Sequence, residues 1–481
     1  MITVQLNKRD FEYDIHSLIR AFYPGVDVPL YLEGEEEPQG FEKKLEVCYS
    51  DALIRLIWRD ADGKALARRE CAVDFYADRK KTKNALKAAL YELLSEYTGQ
   101  KLPWGNLTGI RPTKIPMGLL EQGWKNTEIA EYMRKTYYTS NEKTALAISI
   151  ANRERAILKD IDYKNGYSLY VGIPFCPSIC LYCSFSSSPL SVWKNRVDDY
   201  LDALCREIEQ TAHIWREKQL DTVYIGGGTP TTLEPYQLER LLDKLEECFD
   251  FAHVKEFTVE AGRPDSITAE KLQALRNHPV TRISINPQTM NDRTLEIIGR
   301  RHTVQQTTEA FALARRIGFD NINMDLIVGL PGEGYAEVEH TMRQVSALAP
   351  DSITVHSLAL KRATRLNLFK DQYAPMSFVN NQEIMDMTAR YAARAGQFPY
   401  YLYRQKNMAG NFENVGYARE GAAGIYNILI MEEKQSILAL GAGASTKLVN
   451  GERIERVENV KDIRSYIERI DEMIDRKIKA L

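Results

Sequence analysis

The chain of 481 residues contains no uninterrupted apolar run of the ~18–20 residues needed to span a bilayer. Its opening, MITVQLNKRDFEY, has neither an apolar signal core nor an Arg/Ser-rich transit pattern. These absences predict a cytoplasmic protein without a membrane span. A basic excess is missing too: 63 Lys and Arg stand against 66 Asp and Glu, a net charge of −3. Nucleic acid is held by a cationic surface, so this balance argues against it as a partner. Cysteine is scarce and odd in number, seven in all. A long chain with so few thiols is not a disulfide scaffold. Cys48, Cys71, Cys205 and Cys248 are scattered, as small buried hydrophobes are. Cys176, Cys180 and Cys183 are clustered and need a separate explanation.

Apolar residues make up 44% and charged residues 27%, an ordinary globular balance. The length suggests two to four units. Residues 1–100 alternate β-like runs at 45–49, 53–58 and 71–76 with a helical pattern at 83–97, which predicts a small α+β domain. The acidic segment 33–43 reads as a solvated connection. Residues 101–165 begin with the Pro- and Gly-punctuated KLPWGNLTGIRPTKIP and continue with helices near 116–135 and 140–160, a helical linker unit. From 168 onward, apolar runs at 168–173, 222–227, 256–261, 281–286, 322–328 and 352–357 alternate with amphipathic stretches at 194–217, 235–249, 268–277, 304–317 and 335–348. A two-part link, 291–299 then 304–317, joins the fourth and fifth runs. This is a repeated βα unit over 166–369, which predicts an α/β fold with a six-stranded parallel sheet. Six strands are fewer than the eight of a closed barrel. An open partial barrel and a doubly wound sheet both fit, and both place function at the C-terminal strand ends. Residues 370–481 read as a mixed α/β tail with a β-like run at 436–445 and a charged helix near 460–480.

The stretch YVGIPFCPSICLYCSF (170–185) carries C-x3-C-x2-C at the end of the first strand. Three thiolates this close suit a compact soft-metal site. Structural zinc normally takes four ligands, often as two C-x2-C halves, and no second half exists here. Three protein ligands would leave one iron of a cubane cluster open to a substrate or cofactor. The plainer alternatives are three buried thiols in a loop, or a zinc site completed by a distant His. One βα unit later, YIGGGTPT (224–231) brings Gly226, Gly227, Gly228 and Thr229 to the end of strand two. Its glycines would let a ligand approach the backbone closely.

Together these motifs resemble the signature of the radical S-adenosylmethionine (SAM) superfamily. The resemblance implies a partial (β/α)6 barrel, a 4Fe-4S cluster on Cys176, Cys180 and Cys183, and SAM chelated by the open iron. In that superfamily one electron splits the sulfonium, and a 5′-deoxyadenosyl radical then abstracts hydrogen from substrate. No catalytic residue beyond cluster and SAM is implied. An electron donor such as flavodoxin or ferredoxin is implied as a partner. Tyr182 matches the aromatic beside the adenine, and Gly226–Thr229 match the motif that holds the SAM amino group.

Finer features resemble the oxygen-independent coproporphyrinogen III oxidases and their relatives, over about residues 165–450. They are the lead-in I-P-F-C (173–176), Tyr170 six residues before the first Cys, Glu260 in FTVEAGRPD, Gln288 in SINPQTM, Arg300, Asp325 in NMDLIVGLPGE, and LGAGAS (440–445). In that subfamily the Glu binds the SAM ribose, while the Gln, Arg and Asp surround a second SAM. Two positions depart from the oxidases: Gly172 replaces a His, and Phe185 replaces a fourth Cys. Both lean toward relatives described as haem chaperones, yet YRQKNMAGNFENVGYA (403–418) lacks the resemblance to the chaperones' haem-linked tail motif. The resemblance thus implies oxidative decarboxylation of coproporphyrinogen III propionates in haem biosynthesis. A haem-binding chaperone and a methyltransferase using the second SAM are the alternatives. For a tetrapyrrole bearing carboxylates, the candidate contacts are His356 on the sixth strand, Lys361, Arg362 and Arg365 just beyond it, and Arg404 beside Tyr400, Tyr401 and Tyr403. Arg111 and Lys114 are further basic residues that sequence does not place.

Overall fold

A strand buried on both faces must lie inside a layered fold, and the runs after residue 166 are of this kind: GYSLYVGI, Gly166–Ile173, is almost entirely buried. The computed structural model describes residues 1–480 except 76, 360, 362, 363, 370–372, 374, 375, 406, 407, 409–411 and 452. Strands β1 (Gly166–Ile173), β2 (Gln219–Gly227), β3 (Glu256–Gly262), β4 (Arg282–Ile285), β5 (Ile322–Val328) and β6 (Ser352–Ser357) pair in parallel, in that order. Between them run α1 (Val197–Thr211), α2 (Pro235–Cys248), α3 (Ala269–Arg276), the pair α4 (Asp292–Ile297) and α5 (Val304–Ile317), and α6 (Tyr335–Leu348). Local chemistry sets their ends. In α5, Thr303 accepts from the Gln306 N–H, Gln306 caps the Thr303 N–H in return, and Gly318 stops the helix at φ 104°.

The tail builds on the same sheet. After α7 (Gln382–Arg394), β7 (Phe398–Tyr403) and β8 (Asn414–Ala418) extend the β6 edge in antiparallel fashion. After α8 (Ile425–Glu432), β9 (Ser436–Leu440) lies parallel to β1 as a seventh parallel strand, and β10 (Ser445–Asn450) and β11 (Arg453–Glu458) continue from it. The order is β7-β8-β6-β5-β4-β3-β2-β1-β9-β10-β11, with open edges at β7 and β11. This is an α/β fold with a partial barrel. The seventh strand was legible as a β-like run, but its partner lies far back in the chain. Helices α9 (Ile463–Glu468) and α10 (Ile470–Ala480) follow.

The chain divides into two compact units, Met1–Asn152 and Arg153–Leu481, where sequence suggests four segments. The first unit holds a five-stranded sheet of Ile2–Leu6, Leu30–Leu32, Lys43–Tyr49, Leu53–Asp60 and Ala65–Ala72. Helices Glu12–Phe22 and Arg79–Thr98 cover it, with Leu18, Trp58 and Leu90 in one core. The last strand lies at 65–72 rather than at 71–76. A turn at Asp60–Gly63 pairs Arg59 with Ala65 and Leu53 with Ala72. As an edge strand with half-exposed residues it carries little apolar signal. The expected helix 116–135 is two helices, Lys114–Glu121 and Asn126–Tyr137, broken near Gly123 at φ 86°. Helix Asn141–Ile157 follows. Among the described residues no helix is long and apolar enough to cross a membrane.

One fully buried ion pair ties the end of the chain to the barrel. Glu207 on α1 and Lys477 on α10 meet at 2.6 Å with no exposure of either side chain. Glu207 also accepts from Asn459 (2.8 Å), the Gly441 N–H (2.8 Å) and Tyr466 (2.6 Å). Breaking such a pair leaves an uncompensated buried charge. Lys477→Met should therefore lower stability by roughly 3–5 kcal/mol. Adding Glu207→Gln should restore part of the loss, as thermal unfolding of the three proteins would show. A double variant no better than Lys477→Met would mean the charge is not the cause.

Candidate active site

Side chains two apart on a strand face the same way. Arg282, Ser284, Asn286 and Gln288, on β4 and just beyond it, all line one cavity of about 600 Å³ inside the partial barrel. The same cavity is lined by Cys176, Cys180 and Cys183, by Tyr170 and Tyr182, by Gly227–Thr229, and by Glu260, Arg300 and Asp325.

Strand β2 holds the cysteine strand directly. The Gly228 N–H donates to the Ile173 carbonyl and the Thr229 N–H to the Phe175 carbonyl, both at 2.7 Å. A Cβ at 228 would stand 2.4 Å from the Phe175 oxygen, so only glycine fits. Gly227 takes φ +108° and turns its N–H toward Glu260. Gly226 does not line the cavity; a Cβ there would meet Tyr224 at 2.8 Å and Glu260 at 3.0 Å. Sequence suggests glycines that let a ligand approach; the groups packed against Gly226 and Gly228 in the structure are the protein's own side chains and backbone. Thr229 Oγ1 lies 3.7 Å from Cys176 Sγ.

Arg263, which sequence reasoning passed over, braces the cysteine loop. It is buried, pairs bidentately with Asp265 (2.9 and 2.6 Å), donates to the Ser178 carbonyl and hydroxyl (3.0 and 2.8 Å), and reaches Cys180 Sγ at 3.9 Å. Its only signal is its place in FTVEAGRPD, just past the end of β3. Burial pushes the Cys176 and Cys183 thiols up, while Ser187, Thr229 and, least, the Arg263 charge pull Cys176 back. Among the described residues no three His, Cys, Asp or Glu converge as on a single metal ion. In a 4Fe-4S cluster each thiolate holds a different iron, so three thiols on one wall, one iron short of full ligation, match that donor set.

The same cavity holds two acids, Glu260 and Asp325. Tyr224 donates to Glu260 at 2.5 Å, and its ring stacks on Tyr426 of α8 at 4.5 Å and on Tyr170 at 6.3 Å. Burial raises the Glu260 carboxyl to about 7, helped by Asp325 and opposed by Tyr224 and Arg282. Burial also pushes Asp325 up, but His356 at 3.8 Å and Asn323 at 2.7 Å outweigh it, and its carboxyl lies below the usual range. Gln288 holds a left-handed φ of 69°, unusual outside glycine; its N–H donates to the Asp325 carbonyl and its own carbonyl accepts from Ile327. Arg300 donates to Tyr182 (3.0 Å) and to the Asn286 carbonyl (2.5 Å).

The basic candidates separate. His356 and Lys361 line the cavity. Arg365 is exposed and off its wall, because the chain turns into a short helix, Arg365–Leu368, seated on the cysteine loop. Arg404 is buried off the wall, with its pKa pushed down to about 10 by burial despite Glu413. Arg362 lies outside the described residues. Tyr401 and Tyr403 line the cavity, while Tyr400 packs behind with Leu158 and Ile428. Arg111 and Lys114 belong to the first unit.

The raised Glu260 carboxyl gives a pH signature. Near pH 4 the acid is protonated in folded and unfolded chains alike and costs nothing. Between about 4.5 and about 7 the unfolded chain releases the proton first, so the folded state loses stability, on the order of 3 kcal/mol. Glu260→Gln should therefore melt higher than the parent at pH 8 and with it at pH 4. Equal melting at pH 8 would show that Glu260 carries no burial penalty.

Residues 170–345 match the radical SAM superfamily. The chain is 38% identical over 480 residues to the oxygen-independent coproporphyrinogen-III oxidase-like protein HemZ of Bacillus subtilis (strain 168), covering 97% of this chain and 95% of that one. It is 39% identical over 198 residues to the heme chaperone HemW of the same strain, covering 41% and 52%. Among solved structures, coproporphyrinogen III oxidase (HemN) from Escherichia coli, a radical SAM enzyme, aligns with a TM-score of 0.54 at 25% identity, over 66% of this chain and 73% of that one. Superfamily members use a 4Fe-4S cluster and SAM. With the three thiols, the glycine turn and the strand-end acids on one cavity, the chain belongs to the radical SAM superfamily, among its oxygen-independent coproporphyrinogen-III oxidase-like proteins.

Proposed function

We propose that this protein catalyses the oxygen-independent oxidative decarboxylation of coproporphyrinogen III propionates to vinyl groups. The observation that carries this reading is that one cavity gathers three thiols, the acids Glu260 and Asp325, and Lys361. When bound, the 4Fe-4S cluster and SAM supply a hydrogen-abstracting 5′-deoxyadenosyl radical. Cys176, Cys180 and Cys183 would hold the iron, and Arg263 fixes their loop. Glu260, oriented by Tyr224 and the Gly227 N–H, would accept from the ribose hydroxyls of SAM. Tyr182, held by Arg300, would flank the adenine, and Gly227–Thr229, also on the cavity wall, would hold the methionine end. Gln288, Arg300 and Asp325, on the same cavity wall, would contact a second SAM. Each propionate loses one β-hydrogen, carbon dioxide and one further electron to give a vinyl group, the electron passing to a redox carrier.

The likeness to HemW over part of the chain, together with Gly172 and Phe185, favours a second reading, a haem-binding chaperone. Anaerobic incubation of reconstituted protein with SAM, a reductant and coproporphyrinogen III, read by mass spectrometry, decides between them. The expected product is protoporphyrinogen IX, with 5′-deoxyadenosine and methionine. Stoichiometric haem retained by the protein, without decarboxylation, would favour the chaperone.

Changing any one of Cys176, Cys180 or Cys183 to Ala should remove most of the iron and abolish SAM cleavage, since thiolates hold such clusters. Full iron content in all three variants would overturn the assignment of ligands. The scattered Cys205 serves as the control and should keep its iron as Ser.

A further inference from the structure

Phe185 is 73% exposed, more than any other large apolar side chain among the described residues. It is nonetheless held in place. Its N–H faces the Cys183 sulfur, and its carbonyl accepts from Ser187 at 2.9 Å. The ring therefore stands at a fixed point two residues beyond the last cluster cysteine, on the cavity wall. An apolar ring held open to water beside a site gains most when a ligand covers it.

Lys361, on the same cavity wall, comes to the same point from beyond β6. Its ammonium lies 6.0 Å from the centroid of the Phe185 ring. Its carbonyl accepts from the Thr364 N–H (3.1 Å) and hydroxyl (2.8 Å), and Leu366 then donates to the Leu181 carbonyl at 3.0 Å. The turn that carries Lys361 is thus pinned to the cysteine loop that carries Phe185. Beneath this joint Leu181, Leu358 and Leu366 share one buried apolar cluster.

The other cavity cations are engaged. Arg263 holds Asp265, Arg300 holds Tyr182 and Asn286, Arg282 meets Ser352 at 3.1 Å, and Lys447 pairs with Glu433 at 3.1 Å. Lys361 has no ion pair among the described residues, and its ammonium is free to meet a carboxylate.

We propose that Phe185 and Lys361 form a two-point grip for a tetrapyrrole carrying peripheral carboxylates, Phe185 taking a pyrrole face and Lys361 a propionate. This rests on the tetrapyrrole reading above and assigns the part of the site that selects the substrate. The two contacts are coupled by physics. A ring system lying on Phe185 expels water from around Lys361, and an ammonium stripped of water attracts both a carboxylate and an aromatic face more strongly. A small carboxylic acid, without a ring to cover Phe185, gains neither effect.

The test compares reconstituted parent protein with Phe185→Ala, Phe185→Tyr, Lys361→Met and the Ala/Met double variant. Binding of coproporphyrin III and of its tetramethyl ester is read by porphyrin fluorescence, with iron content measured on every sample. Each single removal should weaken coproporphyrin III binding about tenfold, the scale of one cation–π or ion-pair contact. Phe185→Tyr should restore it, and the double variant should lose less than the product of the two singles. Lys361→Met should weaken the ester clearly less than the acid, whereas Phe185→Ala should weaken ester and acid alike. The proposal is overturned if both single variants bind coproporphyrin III as the parent does, or if their losses simply multiply. It is also overturned if they impair only reduction by a protein electron donor, since the two residues would then dock that donor. A parent that neither binds coproporphyrin III nor turns over its reduced form sinks the tetrapyrrole reading itself, whereas a competent parent with unaltered variants sinks only the grip.

Discussion

Two backbone hydrogen bonds carry the geometry of the site. Gly228 and Thr229 donate to Ile173 and Phe175, and so extend the β1–β2 ladder into the stretch where the cysteines begin. A parallel ladder fixes both the height and the direction of its neighbours. The cysteine loop therefore inherits its place from the sheet rather than from its own irregular chain. The steric price at position 228 is absolute, because any side chain would collide with the Phe175 carbonyl. Arg263 repeats the principle from β3, reaching under the loop to Ser178 and Cys180. Two successive strands of the sheet thus hold the same dozen residues.

The interior below is unusually charged for a barrel core. Arg282, fully buried, faces Glu256, Glu260 and Asp325. Glu256 in turn accepts from the Ile425 and Tyr426 N–H groups at the start of α8. That helix brings Tyr426 into the stack with Tyr224 and Tyr170. A buried arginine among carboxylates costs desolvation, and the mutual attraction offsets it only while all partners stay in place. The floor of the cavity and α8 are in this way one electrostatic unit.

Much of this was legible in the sequence. Strands buried on both faces read as continuous apolar runs, and βα alternation fixed their direction; β5 and β6 end where their apolar runs end. What sequence could not supply was pairing over distance. SILAL looks like a strand, but nothing local says that it lies against β1. Tyr426 sits in an ordinary tail helix, and only the fold brings it to Tyr224. Lys361 and Arg404 are equivalent as letters near a strand end; burial alone puts one on the wall and the other behind it. Arg263 was hidden for the opposite reason, since an arginine in a turn is commonplace until its partners are seen.

The placement of β9 beside β1 has a consequence for how the molecule comes into being. The neighbours that seal the cysteine strand's free side lie far along the chain; Lys477 follows its partner Glu207 by 270 positions. At ordinary elongation rates that separation takes about 15–50 s to synthesise. Throughout that interval β1 can pair with β2 but keeps one bare edge, next to the three thiols. The nascent cysteine loop is thus half-supported while the ribosome is still working. The sheet on both sides of the strand that leads into the three thiols is therefore complete only once β9 has been made.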